Sequence, residues 1–117
     1  MKKILILLAS VILSVSFGCK KEPKSQKVTY IFQPNTTNVD YNIQYRENGI
    51  MEMQENITNY WTYTYSTTYY TQLEIKTLIP NGGDCTIKIQ VDGATVAAQS
   101  GNTQKWIECE YKLNAVY

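Results

Sequence analysis

Histidine is absent from this chain of 117 residues, and cysteine occurs only three times. Without histidine the chain cannot build a Ser-His-Asp or Cys-His catalytic site, a histidine-ligated zinc site or an imidazole pH switch. Eleven basic residues nearly balance ten acidic ones, and a net charge of +1 argues against general nucleic-acid binding. The chain also shows no glycine-rich phosphate loop and no metal-spaced cluster. The sequence therefore favours a binding protein over an enzyme, with no cofactor and no metal.

No apolar run in the sequence is long enough to cross a membrane. The longest, from Ile4 to Phe17, would measure about 21 Å as a helix, whereas a hydrocarbon core is about 30 Å thick. Lys2 and Lys3 precede this run and Gly18 follows it. A short basic segment, an apolar segment and small residues in this order are typical of a secretory signal peptide, which we assign to residues 1–18.

Cys19 directly follows this segment, and its setting resembles a bacterial lipobox, in which the cysteine is lipidated and becomes the mature N-terminus. The alternative is an ordinary secreted protein that is cut nearby and keeps a free thiol. Acyl chains on Cys19 would anchor the protein to a membrane. We therefore expect a membrane-anchored lipoprotein of the cell envelope that faces the periplasm or the cell surface.

Residues 19–27 predict a flexible tether between this anchor and a folded domain at residues 28–117. Residues 20–27 read KKEPKSQK, with four lysines, one glutamate and no apolar side chain. Such a segment cannot bury a core. The lysines are expected either to contact anionic lipid headgroups or simply to keep a spacer solvated.

The other two cysteines, Cys85 and Cys109, belong to the predicted domain. In an exported protein a disulfide between them would persist, and we expect one. The alternatives are two free thiols or a metal pair, although two thiolates without histidine make a poor zinc site.

The domain shows alternating hydrophobicity and no helical periodicity, which predicts strands throughout. Turns are expected at Asn48-Gly49, at residues 80–83, at Asp92-Gly93 and at Gly101-Asn102, and residues 56–59 break the pattern. The predicted strands cover residues 28–33, 39–46, 50–54, 60–66, 69–79, 85–91, 95–99 and 106–113. Seven or eight short strands favour an all-β, antiparallel, Ig-like β-sandwich, with a small closed barrel as the alternative.

Glu108 and Glu110 are predicted to share one strand face, about 7 Å apart along the backbone. Two carboxylates at that distance could serve a glycosidase, but a solvated pair on an exposed face is the simpler interpretation. Met51 and Met53 likewise share a face of the third predicted strand.

Aromatic residues are dense in one stretch, which we take as a candidate binding surface. Tyrosine and tryptophan combine an apolar body with a polar tip, which suits a surface for a sugar, a lipid or a protein. The alternative is that these side chains form ordinary cross-strand pairs in the sheet. The residues are Tyr60, Trp61, Tyr63, Tyr65, Tyr69 and Tyr70.

The segment CTIKIQVDGATV, which begins at Cys85 and is followed by the lone Cys109, resembles the MmpS family of small membrane-anchored mycobacterial proteins. The resemblance extends over most of residues 28–113. It implies a β-sandwich with a Cys85–Cys109 disulfide, held outside the cytoplasmic membrane. It also implies an accessory role beside large transporters that export lipids and siderophores, although here a lipobox stands in place of the transmembrane helix.

Two functions follow as hypotheses. The first is a non-catalytic accessory or interaction module for an envelope protein complex, such as an exporter. The second is a lipoprotein that binds a glycan or an apolar small molecule through the strand rich in tyrosine and tryptophan.

Overall fold

The computed structural model describes residues 22–68 and 71–117, in which all regular structure is β-strand. No helix in these residues has the length and hydropathy that a membrane span requires. The strands are β1 (Gln26–Pro34), β2 (Tyr41–Glu47), β3 (Ile50–Ile57), β4 (Trp61–Thr67), β5 (Thr71–Leu78), β6 (Asp84–Val91), β7 (Ala94–Asn102) and β8 (Trp106–Leu113).

The eight strands form two four-stranded antiparallel sheets. Sheet A has the order β4-β1-β6-β7 and sheet B the order β3-β2-β5-β8. This confirms the all-β, antiparallel prediction with eight strands, and the arrangement is consistent with a β-sandwich. β7 packs near β8 along one side of the two sheets.

Alternation along the central strands produces the core. Burying each large apolar side chain contributes roughly 1.5–3 kcal/mol, and both sheets supply such side chains to one cluster. The fully buried apolar residues of the four central strands are Val28, Tyr30 and Phe32 of β1, Tyr41 and Ile43 of β2, Leu73 and Ile75 of β5, and Cys85, Ile87 and Ile89 of β6.

Two of the predicted tight hairpin turns are present. Asn48 and Gly49 have φ of 51° and 84°, and Asp92 and Gly93 have φ of 50° and 86°. Positive φ at both central residues is the type I′ geometry, which matches the right-handed twist of the flanking strands. Asparagine, aspartate and glycine residues tolerate this conformation at low cost.

The expected turn at Gly101-Asn102 is wrong. β7 continues through Asn102, and the chain turns at residues 103–104, where Gln104 has φ of 60°. Gly101 is required for close packing, because a Cβ atom built there would lie 2.5 Å from Cγ2 of Ile107. The close approach of β7 to β8 therefore explains the glycine at this position, and no turn is formed there.

Two tyrosines connect the sheets through buried hydroxyl groups. The hydroxyl of Tyr30, in sheet A, donates to the carbonyl of Arg46 at 2.6 Å and accepts from the N–H of Glu74 at 3.2 Å. The hydroxyl of Tyr41, in sheet B, accepts from the N–H of Asp84 at 2.9 Å and donates to its carbonyl at 3.2 Å. Each ring therefore fills the core while its oxygen satisfies backbone groups of the other sheet.

The expected disulfide is not formed, since Cys85 and Cys109 are both free and buried. The reason is an offset between the sheets. The Cys109 thiol donates to the carbonyl of Ile87 at 3.5 Å, so it lies level with a residue two positions beyond Cys85 on β6. Two residues span about 7 Å along a strand, which is too far for the short contact that a disulfide needs.

The signal peptide predicted at residues 1–18 and the lipidated Cys19 lie outside the described residues. Within the segment predicted as a tether, β1 begins at Gln26, whose side chain is buried, two residues before the predicted start. Just before β1, the N–H of Lys24 donates to the carbonyl of Val116. The chain thus enters the domain beside its C-terminal segment.

Candidate functional site

β4 carries an aromatic row at the edge of sheet A. It pairs only with β1 among the described strands, and alternation puts Trp61, Tyr63 and Tyr65 on the face that packs toward sheet B. Tyr65 is buried, at 9% exposure, whereas Trp61 and Tyr63 are half-buried. The row therefore passes from the core at Tyr65 to half-buried positions at Tyr63 and Trp61.

The two more exposed rings lie parallel to each other, and we name them, together with the ring that supports them, the aromatic ledge. The rings of Trp61 and Tyr63 are within 9° of parallel, with centroids 6.3 Å apart. Tyr45 of sheet B packs against them at 5.3 Å and 5.0 Å, tilted by 48° and 40°. The ledge therefore consists of Trp61 and Tyr63 as its surface and Tyr45 as its support.

Two carboxylates border the ledge. The hydroxyl of Tyr63 donates to Oε1 of Glu47 at 2.5 Å, and Glu52 lies directly across from Tyr45 on the neighbouring strand. The hydrogen bond to Glu47, together with burial and the negative charges of Glu47 and Glu52, raises the pKa of Tyr63 to about 12. The hydroxyl therefore remains protonated at neutral pH and remains a donor to Glu47.

The polar inner face of β3 leaves this side of the two sheets open. Cross-strand partners point to the same face, and Tyr45 and Ile43 are paired with Glu52 and Gln54. Both partners on β3 are exposed. Burying a carboxylate or an amide group without a hydrogen-bond partner costs free energy. For this reason β3 does not close over the aromatic ledge.

The predicted aromatic surface is divided by the structure. Trp61 and Tyr63 belong to the ledge, while Tyr65 lies in the core beside Tyr30, with ring centroids 6.1 Å apart. Tyr60 precedes β4 and is 59% exposed. Tyr69 and Tyr70 lie outside the described residues.

Sequence reasoning missed Tyr45, Glu47 and Glu52 as members of the site. A signal for them was present, because a two-residue Asn-Gly turn pairs Glu47 with Ile50 and hence Tyr45 with Glu52.

A second cluster of ionisable groups lies on the outer face of sheet B. Carboxylate oxygens of Glu74, Glu108 and Glu110 lie within 4.8 Å of one another. Glu74 is 7% exposed and forms ion pairs with Arg46 at 2.8 Å and Lys76 at 3.9 Å. These cations compensate the buried carboxylate of Glu74.

Glu108 and Glu110 do share the exposed face predicted for them. Their mutual hydrogen bond, with smaller contributions from burial and from neighbouring carboxylates, raises the pKa of Glu108 to about 7. The pair can therefore share a proton near neutral pH.

A shallow polar depression lies where the chain enters β1. Hydroxyl and amide side chains line it, and none of them is ionisable near neutral pH, so these groups offer hydrogen bonds only. They belong to Ser25, Asn48, Ser66, Thr67 and Thr68.

The chain matches no protein-family model and no curated protein.

Proposed function

We propose that this chain is a non-catalytic, lipid-anchored protein of the cell envelope that acts as an accessory or interaction module for an envelope protein complex. The signal-peptide pattern, the lipobox-like position of Cys19 and the lysine-rich tether support the anchoring. The absence of histidine from the sequence supports a binding role.

The exposed edge strand β3 is the observation that carries this proposal. Among the described strands β3 pairs only with β2, so one row of its backbone N–H and C=O groups can accept another strand. Ile50 and Met53 on this strand are 65% and 49% exposed. An extended segment of a partner protein can pair with this edge and cover both apolar side chains.

The order of the strands supports the Ig-like relationship that the resemblance to MmpS proteins implies. β3-β2-β5-β8 follows the order C′-C-F-G of an Ig-like sheet, and the pair β1–β4 follows B–E. The hairpin β6–β7 then occupies the place of strand A beside β1. Because the resemblance to MmpS proteins implies a role beside transporters, an exporter is the kind of complex that we propose as the partner.

Site-specific photo-crosslinking in living cells tests the interaction. A photoreactive amino acid at Met53 should join the protein to an envelope partner, because Met53 lies on the open edge of sheet B. The matched control is Ala98, an exposed position on β7 at the opposite side of the molecule. Absence of a specific adduct at Met53, with the protein present in the membrane, would contradict the proposal.

Lipid labelling tests the anchor separately. Labelled palmitate should enter the wild-type protein and not the Cys19→Ser variant, because the acyl chains are attached through this cysteine. Labelling of the variant would exclude Cys19 as the lipidated residue.

A second candidate function is ligand binding by the aromatic ledge, with a glycan or an apolar small molecule as the ligand. The parallel, half-buried rings of Trp61 and Tyr63 favour it, because a partly exposed aromatic pair retains surface that a ligand can cover.

A further inference from the structure

The shape of the aromatic ledge limits the ligands that it can hold. The rings of Trp61 and Tyr63 lie within 9° of parallel, and Tyr45 packs against both from the side of sheet B. The two half-buried rings share one orientation, whereas a cage for an ammonium group encloses the cation with accessible rings at angles to one another. The ring that is tilted against them, that of Tyr45, is buried. A ligand with flat ring faces that stack on an aromatic ring therefore fits the ledge best.

The groups around the ledge define its polarity. Glu47 and Glu52 are hydrogen-bond acceptors next to Tyr63, and Gln54 follows on the same inner face of β3. Glu47 already accepts from Tyr63, but an apolar ligand would cover Glu52 without giving it a hydrogen-bond donor, which costs free energy. The ligand therefore needs hydroxyl or amide donors at its edge.

Positive charge is directed away from the ledge. The basic residues of the described strands alternate with inward-facing neighbours and so occupy outward positions in the sheets. Within the described strands, an anionic ligand at the ledge would therefore meet carboxylates and no inward-facing cation. These outward residues are Lys27, Arg46, Lys76, Lys88 and Lys112.

We propose that the aromatic ledge binds a neutral oligosaccharide. The C–H faces of its sugar rings stack on Trp61 and Tyr63, and sugar hydroxyl groups donate hydrogen bonds to Glu52. This inference rests on the second candidate function, ligand binding, and narrows its ligand to one chemical class.

The two tryptophans of the chain provide an internal control for a fluorescence test. Trp61 belongs to the ledge, whereas Trp106 is 60% exposed on the outer face of sheet B. The Trp106→Phe variant of the full-length protein reports only on the ledge, and the Trp61→Phe variant reports only on the outer face. Titration with neutral pentasaccharides of glucose, mannose and N-acetylglucosamine should change the emission of the first variant and leave the second unchanged.

Calorimetry on the responding pentasaccharide tests the role of the carboxylate. Glu52→Gln should weaken binding by about tenfold, the effect expected for losing a charged hydrogen-bond acceptor. Glu55→Gln is the matched control, because Glu55 is an exposed carboxylate of the same strand and is not among the groups that shift the pKa of Tyr63. This control should bind like the wild type.

Three results would overturn the inference. They are silence of Trp61 toward every neutral pentasaccharide at millimolar concentration, an equal response from both tryptophan variants, and tighter binding of tetramethylammonium than of any sugar. Crosslinking at Met53 does not require a sugar on the ledge. If no sugar binds but Met53 crosslinks to a partner, only the proposed glycan site is excluded. If a sugar binds but Met53 forms no adduct, only the proposed interaction module is excluded.

Discussion

The hydroxyl of Tyr30 takes the place of a hydrogen bond between two strands. β2 and β5 are paired in register from Asn42–Leu78 to Tyr45–Ile75, and the next pair would be Arg46 and Glu74. There the hydroxyl of Tyr30 lies between the strands, donating to one backbone group and accepting from the other. Burial is the main cause that raises the pKa of Tyr30 far above its usual value, so the hydroxyl stays protonated and keeps donating.

Replacing Tyr30 by phenylalanine should therefore destabilise the domain. The variant keeps the ring in the core but leaves the N–H of Glu74 without this acceptor, and a buried unsatisfied donor costs about 1–3 kcal/mol. For a domain of this size a loss of about 2 kcal/mol corresponds to a fall in Tm of roughly 8–16 °C. Urea unfolding followed by circular dichroism should show a lower midpoint with an unchanged slope.

Tyr65→Phe is the matched control for this experiment. Its hydroxyl reaches the same carbonyl of Arg46 at 3.3 Å, but that carbonyl keeps the shorter bond from Tyr30 when Tyr65 is changed. The control should lose less than about 1 kcal/mol. If Tyr30→Phe proves no less stable than Tyr65→Phe, the backbone groups of Arg46 and Glu74 have closed on each other, and the bridging role of Tyr30 is refuted.

Four further predictions concern other parts of the structure. Tyr41→Phe should cost a similar 1–3 kcal/mol and should add to Tyr30→Phe within about 0.5 kcal/mol, since the two hydroxyl groups bind distant residues; a clearly non-additive double variant would contradict their independence. The thiols of Cys85 and Cys109, whose pKa values burial raises to about 12 and about 11, should react with Ellman's reagent only after unfolding, whereas a Cys85–Cys109 disulfide in mass mapping would refute the structure. The raised pKa of Glu108, about 7, makes the folded state bind a proton that the unfolded state releases, so this contribution to stability is present at pH below about 4.5 and is lost as the pH rises through about 7. In the Glu108→Gln variant, the stability measured by urea unfolding should no longer fall across this pH range. An unchanged pH dependence would exclude the carboxylate pair as the source of the loss of stability. Gly101→Ala should destabilise by about 1–3 kcal/mol through overpacking against Ile107, and a neutral result would show that β7 and β8 separate freely.

Local turn chemistry made much of the fold predictable. Asn-Gly and Asp-Gly pairs between alternating segments specify two-residue hairpins, and both hairpins occur as predicted. The failure at Gly101 has a different cause, because glycine serves equally in turns and at close strand contacts. The choice between these roles depends on Ile107, which belongs to another strand and cannot be recognised from the neighbouring sequence.

The pairing of the cysteines could not be read from local pattern. Alternation correctly placed Cys85 and Cys109 on inner faces, but a disulfide also requires matching positions along two strands of different sheets. That offset depends on how the sheets pack, which in turn depends on the whole core. The expected export of the protein and its number of cysteines therefore favoured a disulfide that the offset between the two sheets does not allow.

The open side of the molecule follows from the register of one hairpin. The type I′ turn at Asn48-Gly49 pairs Glu47 with Ile50, and this register turns Met51 and Met53 outward and Glu52 inward. A shift of one residue would instead place both methionines over Trp61 and Tyr63 and close this side with apolar contacts. Since the turn excludes that shift, the exposed edge of β3 and the aromatic ledge have one common origin. A variant that lengthens this turn by one residue should therefore change crosslinking at Met53 and the emission of Trp61 together, and a change in only one of them would show that the two surfaces are independent.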